Sequence, residues 1–150
     1  MDIALSYLEK GSGQPLILLH GNGGSSKYFK KQIDYFSGDY RVIAIDTRGH
    51  GKSPRGEKPF TIEQFAQDLK DFMTEKKIGK AKLLGFSDGG NIALAFALKY
   101  QQMIDQMVVC GANIFPEGLK SSALLPRAAA YSIHKFFSKN GKRTELLDLV

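Results

Sequence analysis

Gly85-Phe86-Ser87-Asp88-Gly89 joins the apolar run Ala81-Lys82-Leu83-Leu84 to a longer apolar run from Asn91 to Leu98. The first run has the length of a strand and the second that of a helix, so the serine falls at a sharp strand-to-helix turn. Such a turn holds its serine in a strained backbone conformation. Only very small flanking residues allow it, which accounts for glycine two positions before and two after. The hydroxyl is thereby lifted clear of the sheet. The amide of Asp88 opens the helix and points to where an oxyanion would develop on an attacked carbonyl. This is the arrangement of a nucleophile elbow, although the five residues alone also fit a glycine-rich turn without chemistry.

Two further loops decide between these readings. Leu16-Ile17-Leu18-Leu19 is a continuous apolar run typical of a strand buried on both faces, and it ends in His20-Gly21-Asn22-Gly23-Gly24. Arg41-Val42-Ile43-Ala44-Ile45 is another, and it ends in Asp46-Thr47-Arg48-Gly49-His50-Gly51-Lys52-Ser53. With these loops and the serine turn in this order, the chain resembles the α/β-hydrolase family. Its members carry H-G-x-x-G after one central strand, D-x-R-G-x-G-x-S after the next and the serine elbow after a third. The resemblance covers essentially the whole chain. Ser87-Asp88-Gly89-Gly90 and Val108-Val109-Cys110-Gly111-Ala112-Asn113 are most similar to the valacyclovir-hydrolase-like, or biphenyl-hydrolase-like, branch.

The resemblance implies an attack by Ser87 on a carbonyl, with the backbone amides of Asn22 and Asp88 as the oxyanion hole. It implies His20, Gly21 and Gly23 as supports of the oxyanion loop, and a meeting of the Asp88 side chain with a cationic group on the substrate. Two rival motifs fail. Gly21-x-Gly23-x-x-Ser26 with Asp46 imitates a dinucleotide fingerprint, but its third small residue is a serine and a histidine begins the loop. Gly51-Lys52-Ser53 imitates the tail of a phosphate loop, but Asp46 replaces the first glycine and Pro54-Arg55-Gly56 follows instead of a helix.

The remaining pattern alternates strands and helices. Asp2 to Glu9 reads as a strand, and Gly11-Ser12-Gly13-Gln14-Pro15 turns the chain into the next one. Lys27 to Phe36 suits a helix. Thr61-Ile62-Glu63-Gln64 is a capping box ahead of a stripe formed by Ile62, Phe65, Ala66, Leu69, Phe72 and Met73. Asn91 to Leu98 is apolar nearly all round, as a buried helix would be, and Ile104 to Cys110 supplies a further strand. The fold class is α/β, with a mostly parallel sheet flanked by helices.

Counted against the family, the strands lie in the order second, fourth, third, fifth, sixth, with the first absent or vestigial and the last two missing. The domain division is a hydrolase core over 1–115 and the start of a helical cap over 116–150, where Ala129, Ile133, Phe136 and Phe137 keep helical spacing after Pro126. A bare edge at the sixth strand predicts aggregation, self-association or partial disorder.

A serine hydroxyl needs a base within hydrogen-bond reach, itself oriented by a third group. In the family that acid follows the seventh strand and the histidine follows the eighth. Here His20 reads as a brace of the oxyanion loop and His50 as a structural hydrogen-bonding residue. His134 reads as a lid or surface residue that could overhang Ser87 as a substitute base, and Glu117 is the nearest candidate for the acid. The chain is therefore read as a serine hydrolase of carboxylic esters or related small acyl substrates, acting through an acyl-enzyme. The alternative is a catalytically inactive truncated fragment or a ligand-binding relative.

Composition fits a single cytoplasmic domain of 150 residues with no signal peptide and no membrane-spanning run. Cys110 is expected to be a buried reduced thiol, and no Cys or His cluster suggests a metal or cofactor. The net charge of +6 and the basic tail residues Lys135, Lys139, Lys142 and Arg143 invite a nucleic-acid reading. These residues alternate with apolar ones and lack an aromatic platform, so a solvated helix face is the better reading.

Overall fold

The computed structural model describes residues 2–113. Five strands form one sheet: β1 (Tyr7–Lys10), β2 (Pro15–Leu19), β3 (Arg41–Ile45), β4 (Ala81–Phe86) and β5 (Ile104–Cys110). Their spatial order is β1-β3-β2-β4-β5, with β1 antiparallel to β3 and every other pair parallel. This is the expected order. Register places Leu19 of β2 opposite both Ile45 and Gly85. The three motif loops therefore leave the sheet side by side at its carboxyl edge, where open α/β sheets bind ligands.

Continuous apolar strands need cover on both faces, and the pleat divides their side chains between two cores. Ile17, Leu19, Ile43, Ile45 and Leu83 pack against α2 (Ile62–Glu75) and α3 (Asp88–Tyr100). Leu16, Leu18, Val42, Ala44, Leu84, Val108 and Cys110 pack against the 3₁₀ turn Ser26–Phe29 and α1 (Lys30–Phe36). Each fully buried Leu, Ile or Phe contributes about 1.5–3 kcal/mol relative to exposure. Cys110 is free and buried, and burial pushes its thiol up to about 11.

Several expectations shift. The first strand starts at Tyr7, because the segment before it is used otherwise: Asp2 binds the Arg48 guanidinium and the Ser6 N–H donates to Ser53 Oγ at 2.8 Å. The helix expected over Lys27–Phe36 divides into the 3₁₀ turn and α1. Only half of the capping box forms. Thr61 Oγ1 accepts from the Gln64 N–H at 3.2 Å, but the Gln64 side chain turns instead to Asp68 at 2.9 Å. Helix α3 is not buried all round: Ile92, Ala93 and Phe96 face the core while Leu98 is 89% exposed. The expected cap over 116–150 lies outside the described residues, as do His134, Glu117 and the basic tail. Among the described residues, no helix is long and apolar enough to cross a membrane, and no cluster of His, Cys, Asp and Glu could hold a metal.

Candidate active site

Ser87 sits between β4 and α3 with φ 53° and ψ −119°, a conformation that costs a non-glycine residue about 1–3 kcal/mol. The flanking glycines make it possible. A Cβ on Gly85 would lie 2.2 Å from the Gly89 carbonyl oxygen, and one on Gly89 would lie 2.0 Å from the Leu19 carbonyl oxygen. Backbone supplies both obstacles, so neither can yield. The turn is fixed from below by the Ser87 N–H donating to the Cys110 carbonyl at 2.7 Å, and from above by the Gly90 and Asn91 N–H groups returning to the Ser87 carbonyl. Gly90 is required by packing, since a Cβ there would press on Ala112 at 2.9 Å and Val109 at 3.0 Å. The Asp88 N–H, first in α3, has no intrahelical acceptor. Among the described residues, no side chain hydrogen-bonds the Ser87 hydroxyl.

The His20–Gly24 loop lies directly beside this turn. A Cβ on Gly21 would be 3.0 Å from Ser87 Cβ and 3.4 Å from the Phe86 ring. The Gly21 carbonyl is held by two donors, the Gly24 N–H at 3.0 Å and His20 Nδ1 at 2.7 Å. On its other side His20 Nε2 accepts from the Thr47 N–H at 3.1 Å. These partners assign the proton to Nδ1 and the lone pair to Nε2. Burial, with His50 nearby, holds this imidazole below its ordinary 6.5 despite the pull of the Gly21 carbonyl and Asp46. His20, 1% exposed, is thus neutral, with both ring nitrogens occupied by neighbouring backbone.

His50 is similarly committed. Its Nδ1 meets the Arg48 carbonyl at 3.0 Å and the Thr47 hydroxyl at 3.1 Å, while Nε2 faces Asn22 Oδ1 at 3.4 Å. Its ring stacks on Phe60 and meets His20 edge-on. Both histidines among the described residues therefore hold loops together.

The loop Asp46–Ser53 is a network of satisfied buried polar groups. Asp46 accepts from the Ser26 N–H at 2.6 Å and the Lys52 N–H at 2.9 Å. Burial raises its carboxyl, but those donors outweigh it and keep the group below the ordinary carboxylate value. Ser53 Oγ donates to the Asp46 carbonyl at 2.6 Å. Arg48 is wholly buried, and all five of its N–H groups are used: a two-pronged contact to Asp68, another to Asp2, and one bond to the Arg55 carbonyl. The hydrogen bonds that Arg48 donates to Asp2 and Asp68 raise the guanidinium still further above its ordinary range, and Arg48 holds Asp2 far below the usual carboxylate one.

The structure brings together Ser87, Asp88, Gly21, Asn22 and His20 among the expected site residues. Asn22 and Gly23 stand exposed at the tip of the loop. Two residues escaped sequence reasoning. Asp68 occupies the apolar stripe of α2, and a carboxylate at a buried helical position was the available sign of a buried cation. Asn91 accepts the Asn113 N–H at 3.0 Å, tying α3 to the segment after β5, and nothing in the sequence marked it.

Known proteins support the same assignment. The family described as the alpha/beta hydrolase fold matches residues 14–142. The serine hydrolase BPHL of Homo sapiens is 37% identical over 119 residues, covering 75% of this chain and 41% of that protein. The sn-1-specific diacylglycerol lipase ABHD11 of Danio rerio is 36% identical over 103 residues, covering 67% and 32%. A thermophilic esterase from Thermogutta terrifontis has the same fold, with a TM-score of 0.72 and 27% identity, covering 92% of this chain and 57% of that one. The chain spans less than half the length of both curated relatives. Strand order, the glycine-locked serine turn, the two adjoining loops and the family match agree: this chain belongs to the α/β-hydrolase fold family.

Proposed function

We propose that Ser87 is the nucleophile of a serine hydrolase centre acting on carboxylic esters or related small acyl compounds. The observation that carries this reading is the strained backbone of Ser87, at φ 53° and ψ −119°, between two glycines that no other residue could replace. Such strain is retained where a side chain must be presented for chemistry. Ser87 Oγ adds to the ester carbonyl carbon and its proton passes to a base. The backbone amides of Asn22 and Asp88 bind the oxyanion. The carbon–oxygen bond to the alcohol then breaks, the alcohol takes the proton, and water releases the acid from the acyl-enzyme by the same route. His134 is the base in this reading, and Glu117 the candidate for the acid that orients it. Similarity to a serine hydrolase and a lipase supports the reaction class. None of these steps requires a cofactor.

A second reading has its own observation. His20 and His50 are both engaged by neighbouring loops, so neither is free to take the serine proton. Without a base, the cleft would bind a ligand and leave only residual catalysis from the oxyanion hole. Incubation with 4-nitrophenyl butyrate followed by intact-mass measurement separates the two. The hydrolase reading expects nitrophenol release with a butyryl adduct on Ser87, both lost in Ser87→Ala. A folded chain without adduct or release favours the ligand-binding reading.

A further inference from the structure

Three aromatic side chains stand exposed at the carboxyl edge of the sheet: Tyr28 after β2, Phe60 after β3 and Phe86 at the end of β4. A large apolar side chain left in water at the ligand-binding edge of an α/β sheet calls for an explanation. Phe60 has one within the fold, because it stacks on His50 and carries the Arg55 guanidinium over its ring at 4.7 Å. Among the described residues, the ring partners of this pair are each other and, for Tyr28, Phe29. Their rings stack at 5.4 Å and 16°, with exposures of 58% and 38%. Phe86 follows Leu84 on the same face of β4, but its ring extends beyond the core that covers Leu84. Buried Phe29, edge-on to Tyr28 at 5.2 Å, anchors the pair from beneath.

The pair borders the reacting position. A Cβ on Gly21 would lie 3.0 Å from Ser87 Cβ and 3.4 Å from Phe86 Cδ1, so the Ser87 side chain, the oxyanion-loop backbone and the Phe86 ring converge on one place. We propose that the stacked Tyr28–Phe86 pair is a subsite for an aryl group one or two bonds from the carbonyl that Ser87 attacks. This rests on the reading of Ser87 given above and narrows its substrate class to arylalkanoyl or aroyl compounds. A flat ring extends the existing stack or meets its edge, contacts that a saturated ring of similar size makes less well. Two aromatic side chains already held together also lose little freedom when the ligand binds.

The test compares methyl phenylacetate with methyl cyclohexylacetate, which differ chiefly in ring flatness. The full 150-residue chain is expected to favour the phenyl ester in kcat/KM by about threefold to tenfold. Tyr28→Leu and Phe86→Leu should abolish that preference with the fold intact by circular dichroism, and Tyr28→Phe should retain it. A ratio unchanged by both leucine substitutions, with the esters still hydrolysed, overturns the subsite and leaves the hydrolase reading standing. If neither ester is hydrolysed, the hydrolase reading has failed and the subsite is judged by binding. Titrating the two esters into Ser87→Ala should then give tighter binding of the phenyl ester that Tyr28→Leu removes. Equal binding of the two overturns the subsite.

Discussion

The serine turn and the Asp46–Ser53 loop leave the same edge of the same sheet, yet they treat polar groups in opposite ways. At the turn, a strained residue presents a hydroxyl that no described side chain satisfies. In the loop, an arginine and two carboxylates are withdrawn from water with nearly every donor matched. Both stretches are rich in glycine, and in both the glycines permit close approach. A Cβ on Gly51 would meet the Asp46 carboxylate at 2.3 Å, as one on Gly89 would meet the Leu19 carbonyl. What differs is what the approach achieves: a closed polar network in the loop and a strained, half-buried serine at the turn. The loop reaches the turn through one relay: the Thr47 N–H holds His20, and His20 Nδ1 holds the Gly21 carbonyl beside Ser87.

The largest test of this contrast is Arg48→Met. It leaves the Asp68 carboxylate buried without its countercharge, which should cost about 3–5 kcal/mol, read from the midpoint of urea unfolding. A loss below 1 kcal/mol would mean that the network contributes little and that the two regions are not so different. Gly89→Ala comes next. Its methyl group would press on immovable backbone and should cost about 3 kcal/mol by the same measurement.

A smaller effect of opposite sign is expected at the serine. Ser87→Gly relieves the strain and should raise stability by about 1 kcal/mol, whereas Ser87→Ala, which keeps the Cβ, should change it little. No gain in the glycine variant would mean that the turn stores no strain. The smallest effect is confined to one pH window. The folded imidazole of His20 titrates below its ordinary 6.5, so the unfolded chain binds more protons there. Its contribution is fully present above 6.5 and is lost as pH falls through the folded value. Stability should therefore decline on acidification just below pH 6.5, and His20→Gln should flatten that slope.

Much of the sheet was legible because its strands are short apolar runs punctuated by glycine loops, and the strand order followed from the family that the motifs on them resemble. The ends were harder. Asp2 to Glu9 alternates like a strand, but Arg48 and Ser53 claim its first residues through contacts 46 and 47 positions away in sequence, which no local pattern records. The exposure of Leu98 was hidden for the same reason, since apolar composition does not say how many faces of a helix are covered. At the site, the glycine spacing around Ser87 disclosed the turn. The tautomer of His20 emerged only when Thr47 arrived from the loop after β3. Tyr28 and Phe86 lie 58 residues apart, and nothing in either neighbourhood points to their stacking.

The central claim is that the strained serine is also a reactive one. Labelling the folded 150-residue protein with a fluorophosphonate probe tests it directly, with Ser87→Ala and His134→Ala as controls. The account expects an adduct on Ser87 that both substitutions abolish. A folded protein that takes no label would contradict it, leaving a turn built to present a nucleophile with nothing to activate it.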